Sequence, residues 1–376
     1  MPIHRVYFVP GMFGFGRLAG YDYFSHVRAA LEARFDAAGI AAAFEDVPAP
    51  PTSSLRLRSR VLASTVARSA GDDDGPIHLI GHSTGGLDLR LLLSPASRLE
   101  LDGETLRWVR RVKSAVSLNA PHYGTPLASY FTTAAGTRML YALSLFTFVS
   151  LSLGEPSLAV LSRLLAGIGS VDRLFGGDVR LFRRLTAGVL RFVDEDGRND
   201  IVDFLGLIRH DQGGVIQIMP EAMDLFNAAV GDHDGVRYAC VVSAAPAPST
   251  LRFVRGMRSP YHVFTGTVFS TLYQFSSQRP DVYHYAEPDP DQLAILGAGI
   301  PGPLSDKLND GIVPTLSMLW GKLLWAGEGD HLDELGHFHD DQKPRLHADW
   351  LSSGSGFSRV RFAALMDALA RFLLER

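Results

Sequence analysis

The residues whose types and spacing most clearly suggest chemistry are Gly81-His82-Ser83-Thr84-Gly85. A serine with a glycine two positions away on each side can occupy a turn too tight for larger neighbours, its hydroxyl pushed outward. The preceding run, Ile77-His78-Leu79-Ile80, reads as a short buried strand, and Leu87 to Leu93 reads as a helix. A strand–serine–helix junction exposes the hydroxyl and aims the positive end of the helix dipole at charge developing beside it. Gly-x-Ser-x-Gly alone is common by chance; the flanking strand and helix make Ser83 a candidate nucleophile. A serine nucleophile needs a base to accept its proton and a carboxylate to orient that base. Acids near the ends of late segments include Asp306, Asp310 and the carboxylates from Glu287 to Asp291. Histidines in the same part of the chain are His331, His337, His339 and His347. Taken by itself, Asn309-Asp310-Gly311 reads as a tight turn.

The elements around Ser83 alternate in type. Val6 to Val9 predicts a buried strand stopped by Pro10-Gly11. Phe24, Val27, Leu31 and Phe35 recur at helical spacing within Tyr21 to Ala38. Ile40 to Val47 predicts a second strand, Leu55 to Ser69 an amphipathic helix, and Val112 to Leu118 and Val236 to Ala245 two further strands. Phe357 to Leu374 predicts an amphipathic helix lying on the sheet. This alternation predicts an α/β fold whose mostly parallel central sheet is covered by helices on both faces. The expected organisation is a core over 1–124, a mainly helical cap or lid insertion over 125–235, and the rest of the core over 236–376. An irregular insertion is expected at about 255–308, where aromatics mix with Pro and Gly. No charge falls between Arg138 and Glu155, yet Met139 to Leu153 is rich in serine as well as Leu and Phe. That run is shorter than the ~20 apolar residues of a membrane span, leaving a core helix, a membrane-surface segment or a mobile cap.

Bulk composition excludes some classes. The chain has 376 residues with 36 basic and 40 acidic side chains, a net charge of -4, and its basic residues are scattered. Nothing there suggests a nucleic-acid partner. The single cysteine, Cys240, lies in an apolar strand-like run, so no intrachain disulfide forms and a buried, inert thiol is expected. Gly71-Asp72-Asp73-Asp74-Gly75 reads as a surface turn. His337-Phe338-His339-Asp340-Asp341 offers zinc-type donors, but on a polar stretch it reads first as a loop. No signal peptide is visible before the first strand, so cytoplasmic residence is the default expectation; a mature secreted form would read the same way.

Several fragments together carry a family resemblance: Val9-Pro10-Gly11-Met12-Phe13-Gly14, Gly81 to Leu87, Asn119-Ala120-Pro121-His122-Tyr123-Gly124-Thr125, Asn309 to Pro314, and His331-Leu332-Asp333-Glu334. A weaker match is Met219-Pro220-Glu221-Ala222-Met223 with Phe226-Asn227. In this order they resemble the bacterial true lipases and their esterase relatives among the α/β-hydrolases. The resemblance implies a serine, acid, histidine order along the chain, hence Ser83, Asp310 and His331. It implies an oxyanion hole from the backbone amides of Thr84 and Met12, with Phe13 as the neighbouring possibility for the second donor. Lipases carry a His-Gly pair where this chain has Pro10-Gly11, so a side chain that ties that loop down is missing. Phe13 and His82 flank these groups as candidates for substrate contact, although strand alternation turns the His82 side chain away from the hydroxyl. His122 is expected to support the edge of the site. No cofactor is required by this chemistry, but the resemblance allows a structural calcium held partly through Asp333. The implied function is a serine carboxylic-ester hydrolase acting on a small-molecule or lipid ester with an apolar acyl group, with transient lipid-interface contact through the cap. Acyltransferase, thioesterase, lactonase and polyester-depolymerase activities use the same machinery. A non-catalytic binding protein on this scaffold is disfavoured by the presence of all three residues.

Overall fold

The computed structural model describes residues 2–375 apart from 13, 15–16, 19–20, 72, 154–194, 250–258, 279–282 and 341–348. Strand β1 (His4–Val9) alternates between two apolar environments: Val6 and Phe8 join one hydrophobic core, Tyr7 and Val9 the other. A strand with period-two side chains that is apolar on both faces must be covered on both faces. The short hairpin of β2 (Arg17–Leu18) and β3 (Tyr21–Asp22) follows, then α1 (Ser25–Ala37), β4 (Ala42–Asp46), α2 (Leu55–Ser69), β5 (Ile77–His82), α3 (Thr84–Leu93) and β6 (Val112–Leu118). The helix expected from Tyr21 therefore begins at Ser25. Tyr21–Asp22 instead pairs with Arg17–Leu18, and the Asp22 carboxylate accepts the Phe24 amide at 2.9 Å.

After β6 the chain enters a helical region: α4 (Pro126–Phe131), α5 (Ala134–Leu153), α6 (Glu195–His210), α7 (Gly213–Gln217) and α8 (Pro220–Ala229). It returns as β7 (Arg237–Ala244), α9 (Pro260–Ser276), α10 (Pro290–Gly299), β8 (Lys322–Glu328) and α11 (Arg359–Leu374). Six strands form one sheet in the order β4-β1-β5-β6-β7-β8, every pair parallel. Apolar residues of α1 and α11 pack on one face, and those of α2 and α3 on the other. The architecture is thus the parallel sheet with helices on both faces that the alternation predicts, with a helical region inserted between β6 and β7.

The apolar run at 139–153 is a core helix. Leu140, Leu143, Phe146 and Phe148 of α5 are all buried, and the Phe146 ring meets Phe264 of α9 at 5.3 Å. Its hydroxyls are accommodated locally: Ser144 and Thr147 donate to the carbonyls one turn back, Leu140 and Leu143, at 2.8 and 2.7 Å. That back-bonding satisfies these two hydroxyls inside the buried helix. Among the described residues no helix is long and apolar enough to cross a membrane.

The segment expected to be irregular, 255–308, instead contains α9 and α10. Two of the prolines that suggest loop, Pro260 and Pro290, stand at helix starts, after the capping residues Ser259 and Asp289. At a first helical position proline's missing N–H costs nothing and its fixed φ suits the turn. Cys240 is buried as expected, and burial pushes its thiol up to about 12.

Candidate active site

Ser83 joins the end of β5 to the start of α3 with φ 54° and ψ -126°, a conformation that costs a non-glycine residue roughly 1–3 kcal/mol. Surrounding contacts hold it there. Its amide donates to Leu118 O at 2.8 Å across the sheet, and its carbonyl accepts from Gly86 N at 3.0 Å. The flanking glycines have no room for a side chain: a Cβ on Gly85 would lie 2.2 Å from Val9 O, and one on Gly81 would lie 2.4 Å from the Gly85 carbonyl carbon. The junction is therefore jammed between β1 and α3, which is why this spacing of small residues is required.

Asp310 and His331 come together from opposite sides of β8. Asp310 lies in the turn closed by the Asn309–Pro314 bridge. One carboxylate oxygen, Oδ1, accepts the amides of Ile312 and Val313 at 2.8 and 2.7 Å. The other, Oδ2, accepts from His331 Nδ1 at 2.6 Å. Both side chains are fully buried. An acid fixed by two amides and bonded to Nδ1 sets the imidazole tautomer, leaving Nε2 as the basic nitrogen. Nε2 is itself buried and has no hydrogen-bond partner among the described residues.

His82, expected as a substrate contact, is placed differently. It is fully buried, Nδ1 is hydrogen-bonded to Tyr23 Oη at 3.0 Å, and Nε2 donates to the His331 carbonyl at 2.8 Å. Both ring nitrogens are therefore committed within the protein, and burial holds the ring's pKa well below its ordinary value. The residue next to Ser83 thereby pins the backbone of His331, with the two rings 4.7 Å apart. Strand alternation, which turns this side chain to the far side of the junction, is the physical reason. His122 is likewise buried, hydrogen-bonded to Ser117 Oγ at 2.9 Å, and its carbonyl accepts from Asn227 of α8 at 2.9 Å.

The Pro10–Met12 loop lies directly against Ser83: a Cβ on Gly11 would be 2.6 Å from Ser83 Cβ and 3.2 Å from its Oγ. Met12 is buried beside it, and Thr84 opens α3. Phe13 lies outside the described residues. What ties this loop down is Arg58 of the amphipathic helix α2, a residue that no sequence motif distinguishes. Its buried guanidinium donates to Pro10 O at 2.5 Å, to Pro50 O at 2.5 Å and to Pro51 O at 3.2 Å. It also pairs with buried Asp88 of α3, Nε to Oδ2 at 2.9 Å. Desolvation pushes the Asp88 carboxyl up to about 7, opposed by the guanidinium. One residue of α2 thus locks the loop after β1 to the helix that begins at Ser83.

A second brace runs behind His331. Asn119, at φ 49°, donates to Glu334 Oε2 at 2.7 Å and to Ser243 Oγ at 2.9 Å. Burial and the neighbouring Asp333 raise the Glu334 carboxyl well above its ordinary value. Asp333 is buried, its Oδ2 accepting from Asp330 N and Ser355 Oγ, each at 2.8 Å. Carboxylate oxygens of Asp330, Asp333 and Asp349 all lie within 4.8 Å of one another. Asp330 Oδ2 is buried with no hydrogen-bond partner. An all-oxygen set with an orphaned buried carboxylate oxygen fits a hard divalent cation such as calcium.

No family model matches the chain, and no curated protein matches it. Solved structures do. Lipase 1 from Pelosinus fermentans superposes with a TM-score of 0.50 at 15% identity, covering 99% of this chain and 99% of that one. Staphylococcus hyicus lipase superposes with a TM-score of 0.50 at 17% identity, covering 98% and 96%. Likeness at such low identity is likeness of fold. With its six parallel strands, its two helical layers and its strained serine after β5, the chain has the α/β-hydrolase fold.

Proposed function

We propose that the chain is a serine carboxylic-ester hydrolase, an esterase or lipase, acting on apolar acyl esters through an acyl-enzyme. The observation that carries this reading is the Asp310–His331 hydrogen bond at 2.6 Å beside the strained Ser83 junction. In the proposed mechanism His331 Nε2 takes the Ser83 proton as Oγ attacks the ester carbonyl. Asp310 stabilises the imidazolium, and the amides of Met12 and Thr84 stabilise the oxyanion. The alcohol leaves with the proton from His331. Water activated by the same histidine then releases the acid and regenerates Ser83. The lipases with which the fold is shared support an ester as the substrate class.

Residues 125–235 are the proposed cap, with the buried Leu and Phe side chains of α5 as its apolar base. A structural calcium is proposed at Asp330, Asp333 and Asp349, where it would neutralise buried carboxylates next to His331 and take no part in the chemistry. The experiment is hydrolysis of p-nitrophenyl esters over a series of acyl lengths, wild type beside Ser83→Ala. Activity abolished by the substitution supports the reading, and the chain-length optimum separates esterase from lipase. A Ser83→Ala protein with full activity would remove its basis.

A further inference from the structure

One polar atom next to Ser83 is left without a partner by the packing. Thr84 is 1% exposed, and its Oγ1 is buried with no hydrogen-bond partner among the described residues. Four threonines inside α5 and α9 are satisfied by a carbonyl one turn back. Thr147 donates to Leu143 at 2.7 Å, Thr265 to Tyr261 at 3.0 Å, Thr267 to Val263 at 2.8 Å and Thr271 to Thr267 at 3.0 Å. That route is closed to Thr84, the first residue of α3, because four positions back the chain is still strand β5. Valine would fill the same space without burying an unsatisfied hydroxyl, so packing alone gives no reason for threonine here. His331 Nε2, the atom proposed to take the Ser83 proton, is in the same condition, buried and unpartnered. Its partners in the proposed mechanism are the reacting groups themselves.

Covalent geometry restricts where the Thr84 hydroxyl can be. Two of the three staggered χ1 wells hold a threonine Oγ1 about 2.9 Å from the nitrogen of its own residue, and the third holds it about 3.7 Å away. The neighbours of Thr84 both lie against the chain after β1. A Cβ on Gly11 would be 2.6 Å from Ser83 Cβ, and one on Gly85 would run into Val9 O and lie 3.1 Å from Pro10 O. The Thr84 amide is thus held beside the loop that carries Met12, and the hydroxyl is held with it. An oxygen accepting from that amide at about 2.9 Å is within one bond rotation of the hydroxyl.

We propose that Thr84 serves the oxyanion twice, through its backbone amide and through its side-chain hydroxyl, which is a third donor beside the Met12 and Thr84 amides. This inference rests on the hydrolytic reading above. The hydroxyl donates a hydrogen bond and keeps its proton. Having no bond to break in the resting protein, it is preorganised for the charge that develops. A neutral ester oxygen accepts such a bond weakly and an oxyanion strongly, so the effect falls on kcat.

The test compares wild type, Thr84→Val and Thr84→Ser in p-nitrophenyl ester hydrolysis, in thermal unfolding and in inhibition by an alkylboronic acid. The tetrahedral adduct of the boronic acid with serine puts an oxygen where the oxyanion would be. Valine keeps the shape of threonine and removes only the hydroxyl. Thr84→Val is expected to lose about 10²-fold in kcat, as for removal of one oxyanion donor, with KM little changed. Its boronic acid affinity falls by a comparable factor. Its thermal midpoint holds or rises, since an unsatisfied buried group has gone, whereas a hydroxyl with a structural role would lower it. Thr84→Ser recovers most of the rate and the affinity, and Thr84→Ala gives the same readout as valine should the valine variant not fold. A Thr84→Val protein with wild-type kcat and boronic acid affinity overturns the proposal. So does a loss confined to KM, or a loss that Thr84→Ser shares in full. If the wild type neither hydrolyses the ester nor is labelled at Ser83 by a p-nitrophenyl phosphonate, the hydrolytic reading fails and the third donor with it. An active, labelled wild type beside an unimpaired Thr84→Val removes the third donor alone.

Discussion

Replacing Arg58 by lysine tests whether the loop proposed to supply the oxyanion hole owes its position to the guanidinium beneath it. Arg58 donates to three carbonyls, those of Pro10, Pro50 and Pro51, and to Asp88. Lysine keeps the charge, so Asp88 is not left alone in the interior, but a single ammonium cannot span that set. Arg58→Met would strand the carboxylate and cost roughly 3–5 kcal/mol of stability, confusing catalysis with unfolding. The lysine variant surrenders the Pro10 anchor, a charge-assisted bond of about 1.5–3 kcal/mol. Deleting an oxyanion donor outright costs about 10²–10³ in kcat. Loosening the loop that presents the Met12 amide is a partial version of that loss, so a kcat drop of about 10–100-fold is expected, with KM changed less than about twofold. The pattern follows because, in the proposed mechanism, the amide contacts the oxyanion, which is absent from the ground state. Steady-state hydrolysis of a p-nitrophenyl ester gives both constants, and stoichiometric titration with a p-nitrophenyl phosphonate counts the competent Ser83. A folded, fully titratable Arg58→Lys with wild-type kcat would refute the role assigned to Arg58, as would a loss confined to KM.

Asp310→Asn is expected to leave the fold intact and lower kcat by about 10⁴-fold, because an amide can present the wrong partner to His331 Nδ1; esterase assays beside thermal unfolding check it. Acid sensitivity should be built into the sheet. His78 of β5 is buried against His4, and desolvation first, then His4 and Arg237, lowers its pKa to about 3. Since its folded value lies below the unfolded ~6.5, the unfolded chain binds more protons between those values, and stability falls as pH drops through that window. From pH 7 to pH 5 this one group costs about 2 kcal/mol; urea unfolding at both pH values should show that loss, reduced by about that amount in His78→Gln. Removing calcium with EGTA should lower the thermal midpoint and adding calcium should restore it, since a cation at a hundredfold excess over Kd stabilises by about 2.7 kcal/mol. An unchanged midpoint would count against a cation at the acidic trio.

What the sequence revealed depended on how local the cause was. The Ser83 junction is specified by its own neighbours, glycines that cannot be replaced because backbone touches backbone, and it was legible at once. The bounds of α2 and β6 are those expected, because their apolar periodicity starts and stops with their burial. Asp310 and His331 were nameable from motif and order, but only the fold brings them into contact, with β8 lying between them in the chain. Arg58 was invisible for the opposite reason. Nothing adjacent in sequence distinguishes it from a solvated arginine, since its partners Pro10 and Asp88 are 48 and 30 positions away. Strand alternation told that His82 turns away from the Ser83 hydroxyl, but not that its ring would be held between Tyr23 and the His331 carbonyl, partners 59 and 249 positions away. At 255–308 proline content concealed two helices, since the same residue that ends a helix also begins one.

The hydrogen bond from His82 to the carbonyl of His331 spans 249 positions of chain. During synthesis Ser83 emerges early, and β1, β5 and β6 can pair around it while Asp310 and His331 are still to be made. For that interval the serine is an ordinary alcohol, without base or acid. On the proposed mechanism, ester cleavage is among the last capacities the chain acquires, since it waits until β8 has docked and His331 is in place. Appearance of activity therefore marks the end of folding, and a nascent or truncated chain with its sheet half-built is chemically silent.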